Sequence, residues 1–234
     1  MKDREEINEN NWLDDIIPSV IRVKIFQKCK VTYTGYEIAK NVDKETIVAM
    51  ASNTAQIANC VCNNVLDWYG VRKKEIVWGR LLTQRNIIFV VGEKYYVKRM
   101  GDLLENGDLY GDDKTIKYLG KILGYPKCCI NAFVKDAQKS REVGKHPLSY
   151  AYDRYVKQCI QNRLPVSYCE VHKRKEPIIP YMILDKDGNL LEADAGIHHI
   201  PCNPFCKETW FDYAYFNSWK NRVLYVMKQI AHKK

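Results

Sequence analysis

Gly124-Tyr125-Pro126-Lys127-Cys128-Cys129 is the stretch on which the fold turns, because it stops one helix and starts the next. Gly124 suits the position just past a helix end, where the backbone turns left-handed. Pro126 suits a first helical position, since the N–H it lacks would have no intrahelical partner there. The pattern predicts a helix from Asp113 to Gly124 and a second from Pro126 to about Ser140. Upstream, residues 44–68 carry a strong helical signal. Ile47, Met50, Ile57, Val61, Val65 and Trp68 recur with the period of one buried stripe, and Asp43 is placed to cap it. Downstream, residues 147–162 read as a helix with Leu148, Tyr152, Tyr155 and Cys159 on one face. A long aromatic helix runs from about Lys207 to His232.

Strand signals fill part of the remainder. Asn86 to Val91 is β-rich, Gly92-Glu93 reads as a turn, and Tyr95 to Val97 as the returning strand. Residues 101–112, with three glycines among acidic residues, read as a loop. Ile178 to Leu184 and Leu190 to Ala195 read as a second hairpin around Asp185-Lys186-Asp187-Gly188-Asn189. Residues 12–40 suggest a helix or two broken at Pro18, and residues 1–11 a frayed start. The expected fold class is α+β, with several helices packed on a small antiparallel sheet built from two hairpins. The expected organisation is a single domain over 1–234.

Composition narrows the class. A chain of 234 residues with 46% apolar content builds one sizeable core without staples. The net charge is +9, but the lysines are spread along the chain and the dense runs, such as His172-Lys173-Arg174-Lys175, are short. A solvated basic surface is therefore expected, rather than a nucleic-acid site. The opening Met1-Lys2-Asp3-Arg4-Glu5-Glu6 is not a secretory leader, and no apolar run approaches the roughly 20 residues of a spanning helix. The expectation is a cytoplasmic protein with no membrane partner. In that setting nine cysteines are catalytic, metal-binding or buried rather than bridged.

Two motifs concentrate the chemistry. Cys128 and Cys129 fall in the first turn of a helix, where orphan N–H groups, the positive end of the macrodipole and Lys127 all favour a thiolate. The second motif is His198-His199-x-x-Cys202-x-x-x-Cys206, directly before the last helix. The leading expectation is a thiol-dependent acyl-transfer enzyme: an amidase, transpeptidase or amide-forming transferase. Cys128 or Cys129 attacks an acyl carbonyl, His199 is the favoured base (His198 and His172 being alternatives), and Asp194 orients it. First-turn N–H groups would cradle the oxyanion. That mechanism needs no cofactor. It takes an acyl or peptide-like small-molecule substrate, free or presented on a carrier.

The alternative expectation is a zinc or iron–sulfur protein using Cys128, Cys129, Cys202 and Cys206, with His198 or His199 as a further candidate ligand. Adjacent cysteines look awkward on one small ion and better suited to a larger cluster. A basic RNA-binding module ranks third. Cys60 and Cys62, two residues apart on a helix, point to different sides and read as packing residues, as do Cys29 and Cys159. Cys169 and His172 offer a further C-x-x-H. The stripe Trp210, Tyr213, Phe216 and Trp219 reads as core or interface rather than a stacking platform.

The order of cysteine and then histidine, and a cysteine opening a helix that continues Ala132-Phe133, resembles papain-like and transglutaminase-like enzymes. That likeness implies the nucleophile and base roles just given. Asp194 departs from it by preceding His199, and only His172 as base would put Asp185, Asp187 or Asp194 after the histidine. Gly-Tyr-Pro-x-Cys-Cys-x-x-x-Phe at 124–133 and His-x-Pro-Cys-x-x-x-Cys at 199–206 resemble the archaeal and bacterial family called domain of unknown function 483, over residues 113–220. This resemblance implies that Cys128, Cys129, His199, Cys202 and Cys206 are the positions to watch. Convergence of the four sulfurs would favour a metal, and one sulfur beside an imidazole would favour catalysis.

Overall fold

In the computed structural model the described residues are 19–26, 28–37, 44–70, 75–82, 86–107, 109–164, 166–169, 174–177, 183–184, 190–191 and 199–231. They form an α+β fold with seven helices and a small three-stranded antiparallel sheet. Contacts divide the chain, expected as one domain, into two compact units. One is Met1–Gly107 with Ser218–Lys234, and the other is Asp108–Asn217.

The first unit holds α1 (19–25), β1 (Val31–Glu37), α2 (Lys44–Trp68), β2 (Val77–Leu82), β3 (Asn86–Gly92) and α3 (Lys94–Glu105). Its sheet order is β1-β3-β2, with Val31 and Val77 both opposite Gly92. The uninterrupted apolar run Ile87–Val91 suits the central strand, since such a strand has little need of polar alternation. Val23, Cys29 and Val91 form a core cluster with Phe26, Ile76 and Trp78 packed around it.

Three readings of this region are corrected. Tyr95–Val97 is not a returning strand but the start of α3, which continues into the stretch expected as a loop. Gly92-Glu93 mimics a hairpin turn, yet Val97, Met100 and Leu103 recur at helical spacing and are buried together. The hairpin partner of β3 is β2, which precedes it. β1 lies within the stretch that suggested only helices. On α2, whose span agrees with expectation, the buried stripe is Ala55, Ala58, Cys62, Val65 and Leu66, while Ile57 is exposed. Asp43 lies outside the described residues.

The second unit holds α4 (Asp113–Ile122), α5 (Lys127–Glu142), α6 (Pro147–Gln161), the first part of α7 (Lys207–Ala231) and two small ribbons. The ribbons pair β4 (Val166–Cys169) with β5 (Arg174–Pro177) and β6 (Ile183–Leu184) with β7 (Leu190–Leu191). The second ribbon falls where a hairpin is expected; residues 185–189 between its strands lie outside the described set.

The turn between α4 and α5 forms as the sequence dictates. Asp112 caps α4 by accepting from the N–H groups of Lys114 and Thr115. Gly124 sits at φ 75°, and the Tyr125 N–H donates 2.9 Å back to Gly120 O, closing the helix end. Pro126 is the residue before the first turn rather than within it, so α5 begins at Lys127. Its carbonyl accepts the first helical bond, from Ile130 N at 3.0 Å. A side chain at Gly120 would meet Ile130 Cγ1 at 2.6 Å, so this glycine lets α4 and α5 pack closely. Ala151, Tyr155, Cys159 and Ile200 form a core cluster beside Phe133. Leu148, expected on that face of α6, is exposed. Along α7, Cys206, Thr209, Tyr213, Phe216, Trp219 and Val223 make the continuous buried stripe.

Candidate metal centre

Two helix starts supply the site. Cys128 and Cys129 occupy the first turn of α5, and Cys206 immediately precedes α7, its carbonyl accepting from Trp210 N at 3.0 Å. The sulfurs of Cys128 and Cys129 are 3.9 Å apart, and each lies 3.6 Å from the sulfur of Cys206. Cys202 completes the group, and all four sulfurs lie within 4.8 Å of one another. None is in a disulfide. The adjacent pair, expected to sit awkwardly on one ion, converges because Cys206 approaches from a second helix start.

The donor chemistry fits a single cation. Zinc–thiolate bonds of about 2.3 Å impose a sulfur–sulfur edge of about 3.8 Å on a tetrahedron. The three measured edges, 3.6, 3.6 and 3.9 Å, bracket that value.

Without a cation the cluster cannot ionise fully, because like charges this close repel. Hydrogen bonds from Cys129, then Cys202, draw Cys206 well below the ordinary thiol range. Cys129 is pushed well above it by bonds to Cys202 and Cys206 and by burial. Cys202 is drawn down by Cys129 but pushed up by Cys206, by burial and by neighbouring charge, and ends at about 12. Burial and Cys206 also raise Cys128. In the metal-free cluster the ionisation of one thiol thus holds back that of its neighbours. A dication would favour deprotonation of the rest, and two helix N-termini would offset the surplus negative charge.

A second set of groups holds the sulfurs in place. The Cys202 N–H donates to Cys129 Sγ at 3.3 Å, and the Asn203 amide donates to Cys202 Sγ at 3.4 Å. The fully buried Thr209 hydroxyl stands 3.4 Å from Cys129 Sγ and 3.1 Å from His199 Nε2. His199, buried, also packs at a tilt against Tyr125, with ring centroids 4.9 Å apart. Arg154 fixes the segment that carries Cys202. It donates to Asp136 at 2.7 Å, to the carbonyl of Cys202 at 2.7 Å and to that of Pro201 at 3.2 Å. Burial is the largest influence on Asp136 and pushes its carboxyl up against the pull of Arg154. The ion pair at 2.7 Å nevertheless marks Asp136 as the working counter-charge.

The expected site residues separate into groups. Cys128, Cys129, Cys202 and Cys206 come together. His199 reaches Cys129 through Thr209. His172, Asp194 and His198 lie outside the described residues, as do Asp185 and Asp187. Cys62 and Cys159 are buried as expected, but Cys60, expected to pack, is exposed. Sequence reasoning missed Thr209, Asp136 and Arg154. A signal existed for the first, since Thr209 interrupts an otherwise apolar stripe at helical spacing.

No family model, curated protein or solved structure matches this chain.

Proposed function

We propose that this protein is a metalloprotein in which Cys128, Cys129, Cys202 and Cys206 hold one tetrahedral ion, zinc first among candidates. The observation that carries the reading is the convergence of four sulfurs within 4.8 Å, with the three edges among Cys128, Cys129 and Cys206 close to those of a zinc–thiolate tetrahedron. In a polynuclear iron–sulfur cluster the thiolates bind different irons and radiate outward, so their sulfurs stand farther apart. A single ion suits the spacing better. With all four positions filled by protein, the centre is of the closed kind that ties chain segments together, here the start of α5 to the start of α7. A reducing, cytoplasmic setting suits four unbridged thiols. No described helix is long and apolar enough to cross a membrane.

The thiol acyl-transfer reading stands second. It needs an imidazole on the sulfur, whereas His199 Nε2 faces the Thr209 hydroxyl, which in turn stands against Cys129 Sγ. The positions singled out by the likeness to domain of unknown function 483 serve either reading, because it names residues rather than chemistry.

Elemental analysis of the purified full chain separates the two. Near one equivalent of zinc, tetrahedral thiolate charge-transfer bands on cobalt substitution, and proton release on reloading are expected. A metal-free chain that takes up neither zinc nor cobalt, with a Cys128 thiolate that forms an acyl adduct, would overturn the metal reading.

A further inference from the structure

We propose, resting on the metal-centre reading, that Cys128 is the reactive ligand of the centre: the thiolate at which hydrogen peroxide and soft alkylating agents open it. The four sulfurs are unequally protected. Cys129 is 2% exposed and its sulfur is approached by the Cys202 N–H and the Thr209 hydroxyl. Cys206 is 5% exposed. Cys202 is half-buried and receives the Asn203 amide. Cys128 is exposed, and among the described residues the polar partners of its sulfur are other cysteine sulfurs.

Hydrogen bonds to a thiolate draw off its charge and blunt it as a nucleophile, and burial excludes the electrophile. Of the four, Cys128 is the least subject to either restraint, being the exposed one and meeting only its fellow cysteine sulfurs among the described residues. Reactivity toward oxidants follows thiolate character and exposure together, and a metal-bound thiolate keeps the first at neutral pH.

The same geometry supplies the step that follows. The Cys128 thiolate attacks one oxygen of hydrogen peroxide. A sulfur–oxygen bond forms, the oxygen–oxygen bond breaks, and hydroxide leaves, giving the sulfenic acid. The Cys206 thiolate, 3.6 Å away, then attacks that sulfur. A disulfide forms, the sulfur–oxygen bond breaks, and a second hydroxide leaves. Two electrons have passed from the two sulfurs to peroxide. Cys206 is favoured over Cys129 because a bridge between chain neighbours closes a tight ring through one peptide bond. The ion is left with Cys129 and Cys202 alone and departs.

The test uses the zinc-loaded full chain. Exposed Cys60 is the internal reference for an unprotected thiol. Limiting iodoacetamide followed by peptide mapping should label Cys128 first among the four, with Cys129, Cys202 and Cys206 at least about tenfold slower. Hydrogen peroxide should give a Cys128–Cys206 disulfide and one zinc released per disulfide, read with a chromogenic chelator. In Cys128→Ser, reloaded with zinc, peroxide-driven release should slow by about tenfold or more. First labelling at Cys202, equal labelling of all four, or release from Cys128→Ser at the wild-type rate would each overturn the proposal while leaving the centre intact. A chain that binds no zinc would bring down the centre, and this inference with it.

Discussion

The chain places two close pairs of cysteines on helices, and their fates differ. Cys60 and Cys62 sit in the middle of α2, two residues apart and so about 200° apart around the axis. Cys60 faces solvent, 3.9 Å from the Asn64 amide. Cys62 lies among Ile21, Ile25, Val65, Leu66 and Trp219, and burial pushes its thiol up to about 12. Cys128 and Cys129 are closer in sequence but stand at a helix start, where side chains and unpaired N–H groups face an approaching segment. Thiol density is similar in the two places. A helix end met by a second helix end gathers thiols into one cluster; a helix middle packs one thiol and exposes the other.

The strongest way to break that contrast is to remove the sulfur common to both short edges at the centre. Cys206→Ala should cut zinc content below about a tenth of an equivalent and lower stability by about 4 kcal/mol, as expected when a ligand at about a thousand times its Kd is lost. That corresponds to a Tm lower by roughly 8–16 °C for a chain of this size. Cys62→Ala should leave zinc content unchanged. Wild-type zinc content in Cys206→Ala would erase the distinction.

Next in size is the clamp on the Cys202 segment. Arg154→Ala strands Asp136, whose side chain is only 5% exposed, and frees two carbonyls. The expected cost is about 2–3 kcal/mol, below the full penalty for a buried charge because Arg154 is itself partly exposed. The sign with pH follows. Burial already raises the Asp136 carboxyl against the pull of Arg154, so removing Arg154 raises it further, and the folded variant takes up its proton more readily than the folded wild type. The cost should therefore shrink as pH falls toward the carboxylate range. Denaturant midpoints at neutral pH and at about pH 4.5 check this, and a cost that grows on acidification would refute it.

The helices around the centre were legible because they rest on local signals. Gly124 and Pro126 bracket a stop and a start, and each acts within one turn of its own position. The four cysteines were legible as a set because they cluster at two such boundaries. Their meeting was not, since residues 129 and 206 lie 77 positions apart and only the tertiary fold brings them together. Arg154 and Asp136 were missed for the same reason, because a charged residue on an amphipathic helix reads as solvent-facing until its partner is known. Tyr95–Val97 failed differently: aromatic and β-branched residues after Gly92 satisfy the strand pattern locally. Only burial of Met100 and Leu103 on the same face favours the helix.

A smaller effect probes the shell behind the sulfurs. Thr209→Val keeps shape but removes the hydroxyl shared by Cys129 and His199. Outer-shell partners of metal ligands typically contribute about tenfold or more in affinity, so zinc should bind about tenfold more weakly in chelator competition. Thr209→Ser should recover most of that loss, because it restores the hydroxyl and not the methyl. If the serine variant binds as weakly as valine, the role of Thr209 is packing alone.

The smallest predicted effect concerns the pair that makes no centre. The raised pKa of Cys62 means that the folded state holds this proton more tightly than the unfolded chain, whose thiol titrates near 9.0. The contribution is fully present below that value and is lost as pH rises from about 9 toward about 12. At pH 9.5 the loss is about 0.8 kcal/mol relative to neutral pH. Cys62→Ala lacks it, so the stability gap between wild type and this variant should narrow by about that amount between pH 7.5 and 9.5. A gap that stays constant for Cys62→Ala would mean that the thiol reaches water in the native state. The two cysteines of α2 would then be alike, and burial would no longer separate them.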